Sequence, residues 1–332
     1  MLRKPYLIFL ANVTLTSDAK TGFGLRDWCR DDVMAECRLE GGTVTLGLPT
    51  MTPSEAAAAG AGSIVIGVAV VGGQLPRSWI PTLVEALDHG MDVVSGMHTR
   101  LSTFPELVAA AARSGAKLID VRHTDRVIPT GTGLKRSGNR VLTVGTDCAL
   151  GKKYTALQLT RALQSLGAKA TFRATGQTGI MIAGDGIAID AVVADFVAGA
   201  AEMLSPANDA DHWDVIEGQG ALFHPAYAGV TLGLVHGSQP DAIVLCHDPS
   251  RATIEDFPHM PMPALDAAIA RYIEAGQLTN QHVYCAGVSI NSSSLSDVAW
   301  ADYQQRTSDW LGVPVCDPLR GGVEPIAQRL LQ

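Results

Sequence analysis

Residues 140–166, RVLTVGTDCALGKKYTALQLTRALQSL, constrain the fold more tightly than any other stretch of the chain. The apolar run 140–144 has the length of a buried strand, and Leu157, Leu159, Leu163 and Leu166 recur at helical spacing. Between them lies a turn bounded by Gly145 and Gly151. A strand that enters a helix through a glycine turn is half of a βαβ unit, so the segment predicts a parallel sheet covered by helices. The same order of parts makes an anion site. Glycines let backbone amides point inward, the helix N-terminus adds the positive end of its dipole, and Lys152 adds a point charge. Gly145, Thr146, Asp147, Cys148, Ala149, Leu150, Gly151, Lys152 and Lys153 are accordingly the expected phosphate-binding, hence cofactor-binding, residues.

The alternation extends in both directions. Before the loop, strands are expected at 6–10, 64–71, 92–97 and 117–121, with helices at 23–37, 80–89 and 104–114. Residues 124–139, TDRVIPTGTGLKRSGN, have no apolar period and read as a linker. After it, strands are expected at 140–144, 169–173, 213–217, 242–246 and 283–288, with helices at 152–166, 190–204, 264–274 and 324–331. The expected fold is α/β throughout: a Rossmann-like parallel-sheet domain over residues 1–130, then a P-loop NTPase-like doubly wound catalytic domain over 138–332. In the first domain Gly22-Phe-Gly24 lacks the third glycine and the acidic partner of a dinucleotide fingerprint. That domain is expected to supply cleft walls and an oligomer surface, not an NAD site.

Composition narrows the partners. A net charge of -8 with 25 scattered Lys and Arg leaves no basic run longer than Lys152-Lys153, which excludes a nucleic-acid footprint. The six cysteines form no C-x-x-C pair, which argues against a zinc site and a secreted disulfide framework and for a reducing cytoplasm. The apolar run after Arg3 and Lys4 is too short for a signal peptide or a membrane span. A cytoplasmic, metal-free homo-oligomer acting on a small molecule is the expectation, although core and dimer faces of a helix look alike in sequence.

The loop has five residues between its glycines, one more than the common Walker A pattern, and resembles those of dethiobiotin synthetases. Where an ATP-hydrolysing enzyme places the Ser or Thr that binds Mg²⁺, this chain has Lys153. Together with FRATGQTGIMIAGDGIAID from Phe172, DVIEGQGALFHPAYAGVTLG from Asp214 and GVSINSSSL from Gly287, the loop is similar to a P-loop family catalogued as a domain of unknown function. Some of its members are D-glutamate N-acetyltransferases. The resemblance spans nearly the whole chain and implies transfer of an acetyl group from acetyl-CoA to the amine of D-glutamate, the opening step of a D-glutamate degradation route. An ATP- and Mg²⁺-dependent ligase or kinase of the dethiobiotin-synthetase type is the alternative.

Acetyl transfer needs a base for the substrate ammonium, donors for the thioester oxygen and cations for substrate carboxylates. Glu217 ends an apolar strand before Gly218-Gln-Gly220, at a sheet edge where ligands bind, and is the expected base; in metal-dependent relatives such a glutamate would hold Mg²⁺. His224 and His247 each follow a strand and are the next candidates, against the commoner role of a satisfied structural histidine. Lys152 joins Glu217 and His224 as an expected catalytic residue. Arg173, Thr175, Gln177 and Thr178 are the expected substrate-binding residues, the arginine because its fork grips a carboxylate. His98 and Arg100 are placed in the same group as residues that would reach an interdomain cleft. Asn291 sits where nucleotide folds often read a base edge. Cys148 is expected to be a small residue tolerated in a tight turn rather than a nucleophile. Asp147 would orient Lys152 or a metal, while Asp185 and Asp195 read equally well as surface charge.

Overall fold

The computed structural model describes residues 2–68, 73–124 and 126–332. The chain forms two units, one of residues 1–125 and 177–188, the other of residues 126–176 and 189–332. In chain order the first contains β1 (Tyr6–Ala11), α1 (Lys20–Trp28), β2 (Val33–Arg38), α2 (Pro53–Ala58), β3 (Ser63–Ile66), α3 (Ile80–Asp88), β4 (Asp92–Ser95), α4 (Pro105–Ser114) and β5 (Leu118–Asp120). They form one parallel sheet in the order β2-β1-β3-β4-β5. Every residue of β1, YLIFLA, is buried, as a central strand with helices on both faces requires. Proline stands in the first turns of α3 and α4, where its missing N–H costs nothing, and Gly115 closes α4 in the left-handed region.

The second unit contains β6 (Asn139–Gly145), α5 (Lys152–Ser165) and β7 (Lys169–Arg173). The chain then enters α6 (Gln177–Ala183), which belongs to the first unit, and returns through α7 (Val197–Leu204), β8 (His212–Ile216), α8 (Ala228–Ser238), β9 (Ala242–His247), β10 (Thr253–Ile254), β11 (Phe257–Pro261), α9 (Leu265–Gln277), β12 (Tyr284–Ile290), α10 (Asp297–Leu311), β13 (Val315–Cys316) and α11 (Glu324–Leu330). The six-stranded parallel sheet runs β13-β12-β9-β6-β8-β7, and β10-β11 is a separate antiparallel hairpin. From β6 the chain builds outward first on the β8 side, then on the β9 side. The carboxyl end of β6 is therefore the switch point of the sheet, the position at which open α/β sheets bind their ligands. The α/β class is as expected, and among the described residues no helix is long and apolar enough to cross a membrane.

The differences are local. The expected helix 23–37 is a helix to Trp28 followed by β2, because Arg30, Asp31 and Asp32 form a tight turn and Val33 starts a strand that pairs with β1. The expected strand 64–71 is β3 to Ile66, and positions 69–71 lie outside the described residues. The expected helix 190–204 is α7 preceded by two short 3-10 turns. Helices α2, α6, α8 and α10 and strands β10, β11 and β13 were not anticipated. Glycine-rich α8 and polar α10 lack the periodic apolar face on which a helix is read from sequence.

Candidate active site

The glycine loop leaves β6 at Gly145 and enters α5 through Gly151, whose φ of +96° is open to glycine and strained for other residues. Thr146 and Asp147 are fully buried within it. Asp147 organises the turn. One carboxylate oxygen accepts from Cys148 N at 2.7 Å; the other accepts from Glu255 N at 2.8 Å and from Arg251 Nη1 at 2.9 Å. Arg251 also donates to the Cys148 carbonyl at 3.0 Å, so it latches the loop from two sides. Tyr272 holds the base of the loop, its hydroxyl donating to Gly145 O at 2.7 Å and accepting from Leu222 N at 3.0 Å. Neither Arg251 nor Tyr272 was anticipated. They lie 104 and 127 residues from their partners, and nothing local in the sequence marks them.

Lys152, the first residue of α5, is buried and donates to Asp147 O at 2.8 Å. Burial pushes its pKa below the ordinary lysine value, against the pull of nearby thiols and Asp147. Lys153 beside it has its ammonium 4.7 Å from the centroid of the Tyr154 ring. Thr146 hydroxyl and His247 Nδ1 are 2.9 Å apart, and burial lowers the His247 pKa to about 4, so this ring is neutral near pH 7.

Glu217 follows β8 directly and is 4% exposed. Its Oε2 accepts from Thr175 N at 3.0 Å and Gly176 N at 3.1 Å, and its carbonyl accepts from the Thr175 hydroxyl at 2.7 Å. Desolvation raises its carboxyl pKa; Lys153, the two amides and Lys152 pull the other way. The next residue must be glycine, since a Cβ on Gly218 would overlap the Thr143 carbonyl and lie 3.2 Å from Lys152 Cδ. This close approach lays the Lys152 stem alongside the Glu217 strand end. Loop, lysines, Glu217 and Thr175 are thus brought together at the switch point.

His224 is buried, stacked on Tyr227 at 4.5 Å, with Phe257 edge-on at 5.2 Å. Its Nδ1 accepts from Ala226 N at 3.2 Å, so the neutral ring carries its proton on Nε2. A ring nitrogen of His224, a carboxylate oxygen of Asp147 and Cys148 Sγ lie within 4.8 Å of one another, a grouping with the donor types of a metal site. Here the Asp147 oxygens already accept from Arg251 and two amides. Burial, ahead of any other influence, raises the Cys148 thiol pKa, which opposes a thiolate nucleophile.

The other anticipated residues have partners of their own. Arg173 ends β7, and its Nε donates at 2.8 Å to Asp214, the partner of Thr171 two positions earlier; the side chain leans back along the sheet. Gln177 and Thr178 open α6 in the first unit, where Gln177 packs on Gly96 and the Thr178 hydroxyl bonds that of Thr21 at 3.0 Å. His98 and Arg100 follow β4 in that unit; the His98 carbonyl bonds His123 Nε2 at 3.1 Å, and the Arg100 carbonyl accepts from the Thr103 hydroxyl at 2.7 Å. Asn291, after β12, accepts from Ser293 N and donates to Asp248 at 3.2 Å.

Comparison with known proteins agrees with this architecture. Residues 34–124 match a Rossmann-like domain of unknown function, DUF1611_N, and residues 128–327 match its P-loop counterpart, DUF1611_C. A D-glutamate N-acetyltransferase of a Pseudoalteromonas species is 45% identical over 99% of both chains, and one of Tritonibacter scottomollicae is 44% identical over 99% of both. The crystal structure of a DUF1611 family protein from Anabaena variabilis superposes with a TM-score of 0.88 at 32% identity, covering 99% of this chain and 100% of that one. The chain therefore belongs to the DUF1611 family, with a Rossmann-like N-terminal and a P-loop C-terminal domain.

Proposed function

We propose that this protein is an N-acetyltransferase that moves the acetyl group of acetyl-CoA to the amine of D-glutamate, the first step of a D-amino-acid catabolic route. The observation that carries it is Glu217: a buried carboxylate held by two amides beside the lysines of the glycine loop. Two relatives of nearly full coverage named D-glutamate N-acetyltransferase support the amine substrate and the acetyl transfer. Glu217 takes a proton from the substrate ammonium. The freed amine attacks the thioester carbonyl, a C–N bond forms, the C–S bond breaks, and the departing CoA thiolate takes the second amine proton to leave as the free thiol, while Glu217 returns its proton to solvent. His224 donates from Nε2 to the carbonyl oxygen as negative charge builds on it. We further assign the reaction to the cytoplasm and to a homo-oligomer.

The test is release of free CoA thiol from acetyl-CoA in buffer containing EDTA, with D-glutamate, L-glutamate or no amine. Release with D-glutamate alone is the expected outcome. Thiol release that stops with EDTA and returns with added zinc would instead give the Asp147, Cys148 and His224 grouping a metal. Silence followed by ADP formation from ATP and Mg²⁺ would replace the proposal with a dethiobiotin-synthetase-like reaction.

A further inference from the structure

The loop and Glu217 place a limit on each other. A general base works within hydrogen-bond reach of the proton it takes, so the amine that Glu217 deprotonates lies against its carboxylate. In acetyl-CoA the reacting carbonyl is separated from the diphosphate by the pantetheine arm, a dozen or so bonds spanning roughly 15 Å when extended. The loop is much nearer than that. Lys152, which opens the helix at the loop, runs past Gly218, the residue after Glu217, and the Glu217 carboxyl feels both Lys152 and Lys153. A donor whose diphosphate occupied the loop would bring its thioester to the base only with the arm doubled back on itself, an ordered conformation that costs entropy.

An α-amino acid meets the limit without strain. Its carboxylate and ammonium are on adjacent atoms, and here a cationic loop adjoins an anionic side chain. The pairing has the right signs: amides at the start of α5 with Lys152 and Lys153 for the carboxylate, Glu217 for the ammonium. His224, in the role proposed for it above, agrees. Its ring nitrogen is within 4.8 Å of Asp147 and Cys148 of the loop, so a thioester oxygen receiving its hydrogen bond is at the loop as well.

We infer that the glycine loop binds the α-carboxylate of the amine substrate, and that the nucleotide end of the acetyl donor is held elsewhere. This revises the expectation that residues 145–153 cradle the phosphates of CoA. It rests on the proposed acetyl transfer for its chemistry, and its test is binding, which needs no turnover.

Calorimetric titration of the wild-type protein and Lys153→Ala with D-glutamate, and separately with CoA, decides the matter. Lys153 is preferred to Lys152 because it is only partly buried, and a melting curve matching wild type guards against misfolding. The expected result is a D-glutamate affinity weakened about tenfold or more by Lys153→Ala, with CoA affinity unchanged. The reverse, CoA weakened and D-glutamate unchanged, would overturn the inference. So would tight wild-type binding of pyrophosphate that competes with CoA and leaves D-glutamate binding untouched. Should thiol release fail while D-glutamate still binds through Lys153, the proposed reaction falls and the carboxylate site stands.

Discussion

Glu217 and His247 show how burial sets chemistry one residue at a time. In Glu217→Gln the amide oxygen still accepts from Thr175 and Gly176, so the loop keeps its shape while the base is gone. The expected effect is a kcat lower by about 10²- to 10⁴-fold with little change in melting temperature, read by thiol release and calorimetry. Because burial raises the Glu217 pKa and the base works ionised, activity falls as pH drops through a value above the ordinary 4.5 of a glutamate. Glu217→Gln removes that acidic limb from whatever activity is left. His247 acts on stability with a defined sign. Its folded pKa, about 4, lies below the unfolded 6.5, so in that window the unfolded chain binds the extra proton and stability is lost as pH falls. His247→Gln, which keeps a polar partner for Thr146, is expected to flatten the decline of melting temperature between those values, where one such group contributes at most about 1.4 kcal/mol per pH unit. Both residues were visible in the sequence as polar side chains ending apolar strands. What they touch was not: Glu217 is held by amides 42 and 41 residues away, and the loop is latched by Arg251, whose position after β9 looks like any surface arginine.

Elements were legible in proportion to how much of their own apolar pattern they carry. Strand β6 and helix α5 flank the loop, and the sequence placed both to within one residue because a wholly apolar run and a leucine period stand on either side of glycine. Strand β2 was absorbed into a helix because its fit depends on β1, a partner that pattern alone does not supply. Close backbone packing is likewise invisible until elements are assembled, and Gly218 is its sharpest case. There a methyl group would collide with the Thr143 carbonyl of β6, so β8 and β6 must separate or the Glu217 turn must move. Gly218→Ala is expected to destabilise by more than about 3 kcal/mol and to abolish activity, measured by urea unfolding and thiol release. Unaltered stability would mean that the turn relaxes freely and that Glu217 is less firmly positioned than its two amide bonds indicate.

Over the whole molecule, the two-domain α/β order was readable from alternating strands and helices, but the route of the chain between its units was not. Residues 177–188 follow β7 in sequence and belong structurally to the first unit, where Met181 is 1% exposed in the hydrophobic core and Ile182 packs against that core. A domain boundary drawn at the linker therefore cuts the first unit's core in two. Residues 126–332 expressed alone would retain α6 without the core that buries it, and apolar surface so exposed invites association. The expected product is an aggregating or dye-binding fragment rather than an independent domain, checked by anilinonaphthalene sulfonate fluorescence and light scattering. In the intact chain Met181→Ala should cost about 2 to 5 kcal/mol, as other large core truncations do, although the residue lies in the sequence of the P-loop half. A soluble, monomeric 126–332 fragment with a cooperative melt would show that α6 adds little to the first core, and Met181→Ala would then be nearly silent. A large penalty together with an aggregating fragment would mean that the segment leading from Thr175 and Gly176, the two amides on Glu217, is anchored by the first unit, so that its stability and the geometry of the base are set by one continuous stretch of chain.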